Sequence, residues 1–429
     1  MVVKEWFPGI ERPLWPAPQP VDLSLDADAI LDNILDAETR GELYPSYARL
    51  RELAPAHRST SARLPHGCWV LTSFRNVDRV ARSASAVNDP ATAKVFDHDG
   101  SGDGAFYRLM RNAMLFLDKP AHDRVRKLVY KAFTPRAVAP TRELTEQIAH
   151  ALIDRVAAAG SMDYVRDFAY PIPIGVIARL LGLPDEAQPS IEEWAWDFAR
   201  AGDPMTATPE IVERGNQAAE GFTDFFDDAL RQRRAHPADD ILSTLVHAED
   251  AGETLSHDEA IATCVLLLQA GHETTADLLG NAMIALLRNP GELQRLRRDP
   301  ALLPRAVEEL LRFDPSVQMS MRFVRESIEV DGATLPEGSM AALVYGAANH
   351  DPAVFEDPEV LRLDRSPVHL AFSAGAYYCL GNALARTEIQ AALRVLLDRL
   401  PSIRAAADTF VQRRTMRLRG PQALLVAWE

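Results

Sequence analysis

Cys379 is the residue of this chain best placed to do chemistry. It closes the run Phe372-Ser373-Ala374-Gly375-Ala376-Tyr377-Tyr378-Cys379-Leu380-Gly381 and stands just before Asn382-Ala383-Leu384-Ala385-Arg386-Thr387-Glu388, a stretch of strong helix formers. A sulfur at a helix N-terminus meets unpaired N–H groups and the positive end of the helix dipole, which favour the thiolate. Gly375 and Gly381 allow backbone turns that a Cβ would hinder, and let another group come close. A lone cysteine is also a common buried structural thiol, so the rest of the chain has to decide.

Other reactive residue types stand far away in sequence. Glu273 and Thr274, in Ala270-Gly271-His272-Glu273-Thr274-Thr275, pair an acid with an alcohol, a combination suited to proton relay. Their bland alternative is a buried hydrogen-bonded pair that bends a helix. His122 and Arg126 are four apart in a helical run after Pro120, so they share one face. Glu309 and Arg312 have helical spacing too, as do Glu292/Arg295 and Glu359/Arg362. Pro315 and the strand-like segment leading to Arg322 single out the first of these pairs.

These residues need a scaffold. Ser256-His257-Asp258-Glu259 is a capping box, and Pro290 ends the helix that it starts. That span is roughly thirty residues, about 45–50 Å long. Its apolar residues cover every face, which predicts a central helix buried all round. Gly271 inside it costs about 1 kcal/mol relative to alanine and suggests a flat ligand lying against the backbone. Helical spacing turns His272 away, as a structural residue. Further helices are expected over 26–53 (with a break near Gly41 and Pro45), 74–84, 141–158, 172–182, from Ser190 through Trp194, Trp196 and Phe198, and from Pro209 to about Arg234. Strand signals fall at 68–72, within 328–343 and at 424–428. Residues 88–113 read as a long loop, and 1–22 as an extended arm with Trp6, Phe7 and Trp15 as anchors.

Composition narrows the function. Of 429 residues, 47% are apolar, enough for a large core, and no low-complexity linker divides the chain. The formal net charge of −15 argues against general nucleic-acid binding. Cys68, Cys264 and Cys379 are the only cysteines and lie far apart, which suggests neither a disulfide framework nor a zinc cluster and fits a reducing cytoplasm. No apolar run has the length of a membrane span, and residues 1–21 lack the core of a signal peptide.

The Phe-Ser-x-Gly-x-x-x-Cys-x-Gly run followed by Ala-Leu-Ala-Arg resembles the haem-binding loop of cytochromes P450, and Ala-Gly-x-Glu-Thr resembles that family's central-helix signature. The stretch from Leu117 to Arg136 is similar to its C helix, and Glu309-Leu310-Leu311-Arg312 to its K helix. The resemblance spans roughly residue 45 to the C-terminus, with the motifs in family order. It implies a mainly α fold with a small β portion, and one haem domain over residues 23–429. Cys379 would be the axial ligand to iron of haem b. His122, Arg126 and Arg322 would hold the propionates, Glu273 and Thr274 would carry the proton relay for O₂ activation, and Glu309/Arg312 would organise the haem-side core. One position departs from the pattern. The family usually has His or Arg two residues before the cysteine, where Tyr377 stands here; a phenol can donate a hydrogen bond to a propionate but brings no charge.

The activity so implied is monooxygenation of an apolar small molecule, terpenoid, steroid or polyketide-like, by a soluble, monomeric, cytoplasmic enzyme. Electrons would come from a separate ferredoxin-type donor and its reductase, docking on a basic patch of Arg124, Lys127, Lys131 and Arg386. Motif offsets place Leu266, Gln269, Ala270, Gln318, Ser320 and Leu418 around the substrate, with the two glutamines as polar anchors. Two other readings are a peroxide-using haem-thiolate enzyme, which typically lacks the acid–alcohol pair, and a non-catalytic haem- or ligand-binding relative, which would be expected to lose Cys379 or that pair.

Overall fold

The computed structural model describes residues 10–14, 21–36, 43–64, 67–89, 104–203, 207–250, 252–415 and 417–429. The proposed anchors Trp6, Phe7 and Trp15, and most of the glycine-rich run before Gly104, lie outside these residues. The helices that position the site are α1 (Ala121–Tyr130), α2 (Pro171–Leu181), α3 (Gln188–Ala201), α4 (Pro209–Ala235), α5 (His257–Arg288), α6 (Leu303–Phe313) and α7 (Asn382–Arg399). Small sheets flank them, so the fold is mainly α with a minor β part.

Helix α5 is 32 residues long, about 48 Å. Its capping box is complete: the Glu259 N–H donates to Ser256 Oγ at 3.1 Å and the Ser256 N–H to Glu259 Oε2 at 2.8 Å. The helix packs against α2, α4, α6 and α7. Its N-terminal half, Ile261 to Leu268, belongs to an apolar core with Phe198, Phe222 and Phe226. Its C-terminal half, Leu278 to Leu287, belongs to a separate core with Tyr164, Phe168 and Leu310. The polar run Gln269–Asp277 sits between the two.

On the β side, β1 (Ile10–Pro13), β2 (Ala56–Arg58), β3 (Trp69–Leu71), β4 (Ala86–Val87), β5 (Met319–Val324), β6 (Met340–Val344), β7 (Thr409–Gln412) and β8 (Pro421–Ala423) matter most. The order β2-β3-β6-β5-β4 forms one sheet, in which only the β3–β6 pairing is parallel. Strand β1 adds to the β7–β8 pair with Ile10 opposite Gln412, which ties part of the expected N-terminal arm to the C-terminal turn.

Two expectations change. The helix expected from Ser190 starts earlier: α3 begins at Gln188 with a proline in its first turn. Within 88–113, Ala105–Asn112 forms a helix, because Phe106 and Leu109 bury one face against the core that holds Phe198.

Candidate active site

Between Ala260 and Leu287 every residue of α5 is buried except Leu266, Gln269, Ala270, Gly271 and Thr274. Leu266, Ala270 and Thr274 recur every four residues and form one open stripe on a helix otherwise enclosed. Thr274 Oγ1 donates to Ala270 O at 2.8 Å, which fixes the hydroxyl on that stripe. Gln269 lies at its edge, with its amide donating to Ala195 O of α3 at 3.1 Å. Gly271 has another purpose than the one expected. A Cβ there would point at Ile177 of α2, 3.4 Å from its Cγ1, so the glycine serves helix packing and Ala270 is the small residue on the open side. His272 is structural: it is 1% exposed, with Nδ1 against Leu268 O at 2.9 Å and Nε2 3.3 Å from the Tyr170 hydroxyl.

Glu273 turns inward. Arg413, just past the end of β7, donates to Glu273 Oε1 at 3.1 Å, and its Nε lies 3.1 Å from Oδ1 of Asp277, one turn further along α5. All three are buried. Burial pushes the Asp277 carboxyl up to about 7, with Arg413 pulling it down and Glu273 pushing it further up. Arg413 and Asp277 were not singled out in the sequence. The available signal was two carboxyls at i and i+4 in an apolar helix.

The Cys379 loop lies between β5 and α7. Cys379 N–H donates to Phe372 O at 3.0 Å, and the thiol is half-buried. Burial raises it, while the Gly381 N–H, Arg126 and Arg386 pull it toward thiolate. Gly375 has φ +69°, and a Cβ there would collide with the backbone carbonyl of Ala81, so this turn requires glycine. Ser373 also adopts a left-handed φ of 61°. It is held by a hydroxyl chain in which Ser320 donates to Tyr345 at 2.6 Å and Tyr345 donates to Ser373 at 2.8 Å. Arg322 donates to Ser320 Oγ at 3.0 Å and Ser373 Oγ at 3.3 Å.

Two guanidinium groups and an imidazole meet this loop, and burial shifts the His122 imidazole toward its neutral form. Arg126 Nη2 donates to Tyr378 O at 2.7 Å. The His122 ring lies 4.7 Å from the Tyr377 ring, with Nδ1 bonded to Asp123 and Nε2 left for a second partner. Arg322 is 3% exposed, its Nε is buried without a hydrogen-bond partner, and among the described residues no carboxylate pairs with it. A buried cation without a counter-charge is costly, so this donor set is suited to an anionic group.

Tyr377 is engaged elsewhere. Its hydroxyl donates to Asp118 Oδ1 at 2.7 Å, and Asp118 also accepts from the Asn88 N–H and pairs with Arg325. Its ring, not its oxygen, faces Arg322 and His122. Gln318 and Ser320 are likewise engaged within the chain. Gln318 is 1% exposed, accepts from Tyr47 and donates to Pro315 O, and Ser320 spends its hydroxyl on Tyr345 and Arg322. Leu418 is half-buried and bridges to Val317 at the C-terminal turn. Glu309 and Arg312 form a fully buried two-point pair at 2.8 and 2.9 Å, joined by Arg365 at 3.2 Å, a third member that sequence reasoning missed. The expected basic patch is reduced. Arg124 pairs with Glu259 and Arg386 with Glu308, so two of its four cations are neutralised within the chain.

A family model described as cytochrome P450 matches residues 205–401. The biotin biosynthesis cytochrome P450 of Bacillus subtilis is 33% identical over 388 residues, covering 90% of this chain and 96% of that protein. The 6-deoxyerythronolide B hydroxylase of Saccharopolyspora erythraea is 35% identical over 387 residues, covering 88% and 94%. Among solved structures, P450BioI in complex with hexadec-9Z-enoic acid ligated acyl carrier protein superposes with a TM-score of 0.85 at 32% identity, covering 94% of this chain and all of that one. An oxygenase fold is thus matched over nearly the full length of the chain. The chain belongs to the cytochrome P450 family.

Members of this family are monooxygenases that use haem b, with O₂ as co-substrate. The residues present fit that group: a half-buried thiol on a tight glycine turn, and two guanidinium groups and an imidazole against the same loop, with a buried guanidinium nitrogen still to be satisfied. No helix among the described residues is long and apolar enough to cross a membrane.

Proposed function

We propose that this chain inserts one oxygen atom of O₂ into an apolar acyl- or polyketide-derived small molecule, drawing electrons from a separate ferredoxin-type donor. The observation that carries the reading is the single open stripe of α5, where apolar Leu266 and Ala270 lie in line with the Thr274 hydroxyl. An apolar face next to one fixed hydroxyl suits a hydrocarbon skeleton held close to a proton-delivering group. Acyl and polyketide skeletons recur in the names of the relatives and support this class, beside one neighbour solved with testosterone and corticosterone.

In this reading Cys379 is the iron ligand, and His122, Arg126 and Arg322 bind the haem carboxylates through charge-assisted hydrogen bonds. Bound haem supplies the iron centre at which O₂ is activated. Thr274 holds a proton donor on the open face, and Glu273, behind it in α5, feeds that hydroxyl when its carboxyl leaves Arg413. Tyr377 holds Arg322 and His122 in place by packing.

Cys379→Ser should abolish the red-shifted Soret band of the reduced carbon monoxide complex that marks thiolate ligation. Survival of that band would overturn the ligand assignment. The substrate class is tested by titrating fatty acids, macrolide aglycones and steroids against the low- to high-spin Soret shift, with products analysed after turnover with a surrogate ferredoxin and reductase. A steroid shift and product with none from acyl or macrolide compounds would overturn the substrate class.

A further inference from the structure

Arg417 stands on the C-terminal turn, whose backbone is fastened to the segment before β5. The Arg419 N–H donates to Ser316 O at 2.7 Å, the Gln318 N–H donates to Arg417 O at 2.8 Å, and Leu418 bridges to Val317. From this fixed turn the half-buried Arg417 side chain crosses to α3, where Nη2 donates to Gly202 O at 3.2 Å. Gly202 closes the C-terminus of α3, so its carbonyl lies at the negative end of the helix dipole and holds the guanidinium there. This contact spends a single N–H of the guanidinium fork. Among the described residues no carboxylate pairs with Arg417. Asp197 of α3 is taken by Arg214 at 2.8 Å, and Asp203 is enclosed at 5% exposure without pairing with Arg417. The same helix borders the open stripe of α5, because Gln269 donates to Ala195 O at 3.1 Å. From Ala195 to Gly202 the chain of α3 runs about 10 Å. That stretch is apolar where it packs: the Phe198 and Phe106 rings lie 4.5 Å apart, and a Cβ on Gly202 would sit 3.3 Å from the Phe106 ring.

We infer that Arg417 binds the carboxylate end of an acyl substrate whose hydrocarbon chain lies along the open stripe of α5. A long-chain acid is apolar over its length and charged at one end. It matches an apolar stripe bordered by a helix that ends beside a guanidinium with no carboxylate of its own. The planar fork can meet both carboxylate oxygens while its remaining N–H stays on Gly202 O. The whole chain carries a formal net charge of −15 and repels anions, so preference for an acid over a neutral compound of the same length requires a local cation. Pinning one end of a flexible chain also limits which carbons come to rest beside Thr274, so Arg417 governs the position of oxygen insertion as well as affinity. An arginine that only caps α3 would serve neutral and charged ligands equally.

Arg417 has this role only if the acyl class proposed above holds, and one experiment tells the two apart. Dodecanoic acid, dodecanol and methyl dodecanoate share one chain and differ in charge at its end. Each is titrated against the holoenzyme at about pH 7.5, where the acid is ionised, and the low- to high-spin Soret shift is read. Wild type should bind the acid on the order of tenfold more tightly than the alcohol or the ester. Arg417→Gln keeps an amide for the Gly202 carbonyl but drops the charge, and should bind all three alike. Arg417→Lys should keep part of the preference, as a point charge without the fork. After turnover with a surrogate ferredoxin and reductase, the acid should be hydroxylated at a few neighbouring carbons by wild type and over a broader range by Arg417→Gln. No shift with any of the three compounds overturns the acyl class and this site with it. Equal affinities in wild type, or an acid preference that survives in Arg417→Gln, overturn the role of Arg417 alone. Phenylglyoxal labelling of wild type keeps the test decisive if the variants do not load haem: dodecanoate and not dodecanol should slow modification of Arg417, and equal labelling rates overturn the assignment.

Discussion

The guanidinium carbon of Arg322 lies 5.0 Å from the centroid of the Tyr377 ring, and the hydroxyl of that ring is bonded to Asp118. A cation without a carboxylate partner among the described residues therefore rests on an aromatic face that is itself anchored to another part of the chain. Asp118 also accepts from the Asn88 and Asp89 N–H groups and pairs with Arg325 of the strand side, so the anchor ties the Cys379 loop to the α1 entry and to β5.

Tyr377→Phe keeps the ring and removes the tie. A single buried hydrogen bond is worth about 1 kcal/mol, so haem transfer to apomyoglobin should quicken by roughly fivefold. Tyr377→Leu removes the aromatic face as well and should lose haem faster still. Equal transfer rates for wild type and both variants would show that the ring does not support the clamp.

The Glu309–Arg312 pair should behave as a structural element. Arg312 is fully buried, and Glu309 accepts from Arg312, from Arg365 and from the Arg362 backbone. Glu309→Gln leaves a buried cation without its counter-charge and should cost about 3–5 kcal/mol in urea unfolding. A loss below about 1 kcal/mol would mean that the amide carbonyl of the variant and Asn349 O suffice to hold Arg312.

Local signals were legible and distant partners were not. The Cys379 turn, the capping box at Ser256 and the Glu309/Arg312 spacing each depend on neighbours within a few residues, so residue types alone place them. Arg413 reaches Glu273 across 140 positions, and Arg365 reaches Glu309 across 56; nothing in either local sequence names the partner. Tyr377 was noticed as unusual, but the direction of its hydroxyl depends on Asp118, which comes close only through the folded chain. Side-chain direction also decided Gln318 and Gly271. Both lie near the site in sequence, yet one amide is bonded inside the β portion and the missing Cβ faces α2.

Gly375→Ala tests the turn that presents the cysteine. The added Cβ would press on the Ala81 carbonyl and sit 2.8 Å from Arg82 Cα, both backbone atoms that cannot rotate away. With φ at +69° the residue is also in a region that L side chains rarely adopt. The expected penalty exceeds about 1–3 kcal/mol, with a lower thermal midpoint and a smaller haem-loaded fraction. Full loading at an unchanged midpoint would show that the loop has room to re-form.

Stability against pH gives an independent view of Asp277. Its carboxyl titrates at about 7 in the folded chain against 3.8 ordinarily, because burial disfavours the charge more than Arg413 favours it. Between about pH 4 and pH 7 the folded state keeps a proton that the unfolded chain has released, so stability falls as pH rises through that window. The sign is opposite to that of Glu308, held at about 2 by His369 and Arg386 against the burial that would raise it, whose contribution is full above its unfolded value and lost toward low pH. Asparagine mimics the protonated form of Asp277. The Asp277→Asn chain should therefore match wild type near pH 4 and exceed it by on the order of 4 kcal/mol at pH 8, in urea titrations at each pH. A stability difference that does not grow with pH would mean that Asp277 is already ionised in the fold at low pH, with Arg413 held firmly between two carboxylates.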